Sequence, residues 1–299
     1  MRLRHAVIAS LAAAIVFSAV ILSTAQAPAY RAPRTASGKP NLNGIWQALN
    51  TANWDLQGHA AAKGPLSSLG AVFTVPPGLG VVEGDEIPYL SAAAAKKKEN
   101  QANWVKLDPE VKCYLPGVPR ATYMPYPFEI VQSPQNILIS YEYADAVRII
   151  NMGPPTKAPA DSWMGWSNGH WEGDTLVVDV TNFSSKTDFL GSRENLHLVE
   201  RWTRTGPRTL AYEVTIEDPT VWTRPWTVKQ EFSRQSEEEN RIYTEPRCVE
   251  GNYGLPGLLH GRRAEDAAFA QGRGPDPATM DNVTGTLTTA EVPQDPLLQ

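Results

Sequence analysis

From Phe128 onward the chain reads as short apolar runs separated by turn signals. "FEIVQ" (128–132) leads through Ser-Pro-Gln-Asn to "ILISYEY" (137–143), and Ala144-Asp145 leads on to "VRIINM" (147–152). After a Pro-rich connection come "WMGWSNGHW" (163–171) and "TLVVDVTNF" (175–183), joined at Glu172-Gly173-Asp174. "NLHLVERWTR" (195–204) and "TLAYEVTIE" (209–217) are joined by Thr-Gly-Pro-Arg. "WTVKQEFSR" (226–234) and "RIYTEP" (241–246) are joined by a Ser/Glu/Asn turn. About eight strands in succession, mostly with hairpin-length links, predict a mainly β fold built as an antiparallel meander. Such a meander closes into a barrel or folds into a sandwich, and closure removes exposed edges. An early "GIW" (44–46) is the candidate closing strand. The best helix is N-terminal to the strands, within "PYLSAAAAKKKENQANWVKL" (88–107), where Ala, Lys and Glu are good helix formers. Its Lys run reads as a solvated face. A shorter helix is expected within 251–272.

The ends of the chain add a compartment. "MRLRH" is a basic start, Ala6 to Leu22 is apolar without a charge, and "STAQAPAY" supplies small residues. That is the pattern of a signal peptide over 1–25, cut after Ala25 or, less well, after Ala27. The competing reading is a membrane anchor of minimal length. Residues 26–40 read as a flexible leader, 41–265 as a single β-rich domain, and 266–299 as a loose acidic tail. A periplasmic or secreted protein without a stable membrane span follows. Cys113 and Cys248 then stand in an oxidising compartment, where an even count suggests one disulfide; two separate buried thiols are the alternative. The formal charge of −5 argues against nucleic acid as a partner. Gly-x-Ser-x-Gly and Gly-rich phosphate loops are absent from the sequence, so no cofactor is expected.

Strand alternation sorts the candidate chemistry. Leu176, Val178 and Val180 share one face, and Asp179 lies on the other. Glu172-Gly173-Asp174 is turn chemistry, and that turn breaks the alternation that would let His170, Glu172 and Asp174 share a metal. No metal is expected. In "NLHLVERWTR", Glu200 shares a face with Leu196, Leu198 and Trp202. An ionised carboxylate there is costly unless paired, which makes Glu200 either a salt-bridge partner or a general acid or base. His197 and Arg201 lie on the opposite face and complete a tentative catalytic set. Glu142 and Arg148 are a candidate cross-strand ion pair, or Arg148 grips an anionic ligand. Nine Trp in 299 residues supply core and candidate ligand platforms: Trp163, Trp166, Trp202, Trp222 and Trp226.

The Gly-x-Trp on the first strand is similar to lipocalin-like barrels. "KCYLPGVPRATYMPYPFEI", "WMGWSNGHWEGDTLVVDVTNF", "LHLVERWTR", "IEDPTVWTRPWT" and "CVEGNYGLPGLLHGRRAE" together resemble a family of exported bacterial proteins of uncharacterised function. The resemblance covers about residues 40–265. It implies the bacterial envelope and a single domain, and it sets "CVEGNYG" on the Cys248 side of the expected bridge. Two functions are expected from these features. One is binding of a small amphipathic or aromatic molecule in the barrel cavity. The other is a cofactor-independent hydrolase, lyase or isomerase using Glu200, with Arg148 or Arg201 orienting substrate.

Overall fold

The computed structural model describes residues 30–64, 74–112, 114–236 and 254–279. Nine strands close one barrel in chain order: β1 (Gly44–Ala48), β2 (Phe128–Gln132), β3 (Asn136–Tyr141), β4 (Val147–Met152), β5 (Trp166–Glu172), β6 (Thr175–Thr181), β7 (His197–Arg204), β8 (Thr209–Glu217) and β9 (Trp226–Arg234). β1 pairs with both β2 and β9, so the Gly44-Ile45-Trp46 segment is the closing strand. Barrel, not sandwich, is the outcome.

One pairing departs from the expected meander. β4 and β5 run parallel, with Ile150 opposite Ser167 and Met152 opposite Gly169. A parallel neighbour needs a connection that returns to the same end of the sheet, and residues 153–165 provide it. The strand pattern alone carries no direction, so this was not visible in the runs. Gly169 sits on the seam. A Cβ there would lie 2.6 Å from Ile150 Cγ2 and 2.7 Å from Met152 Sδ, so any larger residue would force these two side chains to shift.

The alternation read from the sequence sets the interior. β7 alternates half-buried and buried along its whole length, with Leu198, Glu200, Trp202 and Arg204 inward. At the centre, Phe128 meets Phe232 edge-on at 5.0 Å and Trp202 at 6.1 Å, and Trp202 meets Tyr212 at 4.5 Å. Trp46, Trp202 and Leu210 are fully buried. Buried side chains occupy this part of the barrel.

Both barrel ends carry added structure. The described parts of the connection between β1 and β2 lie over one mouth, and include α1 (Ser91–Ala102), α2 (Trp104–Leu107) and α3 (Arg120–Tyr123). α1 starts without a side-chain cap. Its entry is instead moored to the β8–β9 loop: Leu90 N donates to Val221 O, and Thr223 N donates to Pro88 O. At the other end lie residues 30–40, the described part of the segment read as a leader, and they contact the barrel. Both Arg34 guanidinium nitrogens Nη1 and Nη2 donate to Asp174, and Ala32 is buried. α4 (Gly254–Ala270) follows later, so the helix passes the expected domain limit at 265. The signal segment 1–25, Cys113, Cys248, the "RIYTEP" run and most of the tail lie outside the described residues. Among the described residues no helix is long and apolar enough to cross a membrane.

Candidate functional site

Glu200 is fully buried inside the barrel, and it is fully partnered. Arg148 Nη1 donates to its Oε1 at 3.1 Å and Arg148 Nη2 donates to its Oε2, while the Tyr212 hydroxyl donates to Oε1 at 2.8 Å. Arg148 Nε donates to Ser167 Oγ at 2.9 Å. The pair therefore ties β4 and β5, beside the parallel seam, to β7 and β8. Burial opposes the charge on Arg148, but the adjoining Glu200 outweighs it and holds the guanidinium pKa above its ordinary value. Burial also drives the Tyr212 hydroxyl pKa well up, reinforced by Glu200. A carboxylate with its near partners fixed and no solvent contact fits the salt-bridge reading of Glu200 better than the general acid or base reading. The carboxylate that Arg148 holds is that of Glu200. Glu142 is buried at the end of β3, where its N–H donates to Pro127 O.

His197 and Arg201 face outward, as the alternation required, and neither approaches Glu200 from inside. His197 Nδ1 lies 2.6 Å from Glu217 Oε1, and Nε2 lies 2.9 Å from Asp179 Oδ2. With carboxylates at both nitrogens, the imidazolium has two acceptors for its two donors. Partial burial lowers the His197 pKa, but the two carboxylates raise it by more, so it stands above its ordinary 6.5. A folded-state pKa raised above the unfolded value gives stability that is complete below the unfolded pKa and is lost as pH rises through the folded one. The stability gap between wild type and His197→Gln is accordingly expected to be larger at about pH 6 than at about pH 9. Urea denaturation at both pH values measures it; a gap that widens with pH would contradict the assignment. Arg201 Nη2 donates to exposed Glu172, which also meets His170 at 3.3 Å. Asp174 belongs to Arg34. His170 and Glu172 meet each other while Asp174 pairs elsewhere, and among the described residues no group of three such side chains is placed to hold a metal.

The tryptophans divide. Trp202, Trp222 and Trp226 are buried, and offer no free platform. Trp163 packs on Tyr114 at 5.1 Å, and Trp166 Nε1 donates to Thr156 O at 3.0 Å. Neither lines the cavity that stands out.

That cavity, about 560 Å³, lies at the mouth beside the β1–β2 connection. One wall is the inner face of α1 continued into α2: Ala93, Lys97, Asn100 and Trp104. Their spacing of four, three and four residues places them on one side of a helical path. The facing walls are Trp54 and Leu56 from the loop after β1, Phe189 and Leu190 from the turn before β7, and Val221 after β8. Leu190 holds a positive φ of 53°, a conformation non-glycine residues seldom adopt. A hydrogen-bonded turn fixes it: Phe189 N donates to Ser192 O, and Ser192 N donates to Phe189 O. Phe189 is backed by Trp226, stacked at 6.3 Å, and by Trp222 at 6.5 Å. Two of the expected platform residues therefore support the pocket wall from behind.

The floor carries a second ion cluster. Arg120 donates to Asp108 Oδ1 at 2.9 Å and to Glu110 Oε2. Burial would raise the Asp108 pKa, but the hydrogen bond and charge from Arg120 bring it below the ordinary value. Burial dominates at Glu110 and raises its pKa. A further cavity of about 530 Å³ sits at the opposite end, beside Lys39, Met152 and Trp171. Its amides Gln132 and Asn43 serve the backbone: Gln132 Oε1 accepts from Leu42 N, and Asn43 Oδ1 accepts from Gln132 N. The first cavity is the candidate site, because of these two cavities it is the one that joins aromatic walls to a charged helix.

No family model and no curated protein matches the chain.

Trp54, Trp104, Lys97 and Phe189 were not singled out by the strand-centred reading. For Lys97 and Trp104 the signal is the helical spacing from Ala93 to Trp104, which the Lys run masked; Trp54 and Phe189 carry no such local signal.

Proposed function

We propose that the protein binds a small amphipathic or aromatic molecule at the barrel mouth. The observation that carries this reading is a cavity of about 560 Å³ in which Trp54, Trp104, Phe189 and Leu56 face polar groups of α1. Small-molecule sites have this size and this mixture of apolar walls with few polar anchors. The basic and apolar leader over residues 1–22 supports export to the bacterial envelope, as does the resemblance to exported bacterial proteins. Catalysis loses its principal residue once Glu200 is a buried ion pair, so binding is the reading that the geometry favours.

Trp54 and Trp104 line the cavity and make the test direct. Tryptophan emission of the full chain is expected to shift on titration with at least one aromatic or amphipathic compound from a panel that also includes sugars and lipids. Saturable change with a naphthyl compound supports the proposal. Silence across the panel overturns it.

A further inference from the structure

We propose that Lys97 selects an anionic ligand: an aromatic or amphipathic body bearing one carboxylate or a similar anion. This inference rests on the mouth pocket being the binding site. It comes from following each charged group of the pocket to its partner. Arg120 is committed to Asp108 and Glu110. Lys96 pairs with Glu99 at 3.0 Å. Asp188 pairs with Arg193 at 3.2 Å and also accepts from Gly191 N. Asp55 is exposed and accepts from Gln57 N.

Lys97 remains. It is half-buried on the pocket face of α1, and its Nζ lies 5.1 Å from the centroid of the Tyr89 ring. Among the described residues it forms no ion pair with a carboxylate. The aromatic ring attracts the ammonium through its quadrupole and holds it in place, but supplies no acceptor for its three N–H donors. The ammonium is thus held without a direct carboxylate contact in the pocket that Trp104 and Phe189 also line, where Asp55 and Asp188 act on the Tyr89 hydroxyl from a distance. An incoming anion gains a charge-assisted hydrogen bond there without breaking an existing pair. A cation gains nothing at this point, and a neutral ligand gains only the apolar walls.

The test compares three matched probes on the full chain: 2-naphthoate, 2-naphthylmethanol and 2-naphthylmethylamine, read by tryptophan emission. Naphthoate is expected to bind about tenfold more tightly than the alcohol, with the amine weakest. Lys97→Met keeps an unbranched stem and removes the charge. It is expected to abolish the preference for naphthoate over the alcohol. Lys98→Met, one residue along on the exposed face, is expected to keep the wild-type preference and controls for general charge. If the three probes bind wild type equally, or if naphthoate is still preferred by Lys97→Met, the inference is overturned and the mouth pocket stands. If no probe binds at all, the pocket reading and this inference both fall.

Discussion

Arg148→Met is expected to destabilise the barrel by about 3–5 kcal/mol, because it strands the buried Glu200 carboxylate without its cation. The two residues stand on β4 and β7, and the Arg148 side chain also holds Ser167 on β5. Removing it therefore loosens the parallel seam as well. The double variant Arg148→Met with Glu200→Leu is expected to recover most of the loss, since an apolar pair of similar volume has no desolvation penalty to offset. Urea denaturation of the wild type, the single variant and the double variant measures both steps. A single-variant loss of only about 1 kcal/mol, the range of an exposed pair, would contradict a structural role for this pair.

Ala93→Trp is expected to close the mouth pocket. Ala93 is half-buried on α1, packs against the hydrophobic core and lines the cavity, so an indole at this position takes up part of the cavity volume. The denaturation midpoint is expected to stay within the small range of a surface change, about 0.5 kcal/mol. Affinity for any panel compound that binds wild type is expected to fall by about tenfold or more, equivalent to at least about 1.4 kcal/mol.

The barrel was legible because its signals are local. Strand runs, tight turns and two-residue alternation placed β2 to β9, and the Gly44-Ile45-Trp46 run supplied the closing strand. Glu200 was singled out for a sound reason: it shares a face with Leu196, Leu198 and Trp202, and that face is interior. Its partner was not legible. Arg148 lies three strands away around the barrel, and the contact crosses the interior through a register that includes one parallel pairing. The nearer acid in sequence, Glu142, was the natural choice, whereas the carboxylate bonded to Arg148 in the interior is that of Glu200. The site was largely hidden, because it is assembled from four separate segments around the mouth. Trp54, Trp104, Phe189 and Val221 are far apart in the chain, and no short motif joins them. The three consecutive lysines look alike in sequence. Only the packing of α1 distinguishes Lys97, which faces the cavity over Tyr89, from exposed Lys98.

The claim at the centre is that the barrel interior is structural and that the ligand belongs at its mouth. Calorimetric titration of wild type and Ala93→Trp with the tightest panel compound tests it most directly. The prediction is saturable heat for wild type and its loss in Ala93→Trp, with both proteins unfolding at the same urea concentration. Equal binding by the two would place the ligand elsewhere and contradict the account.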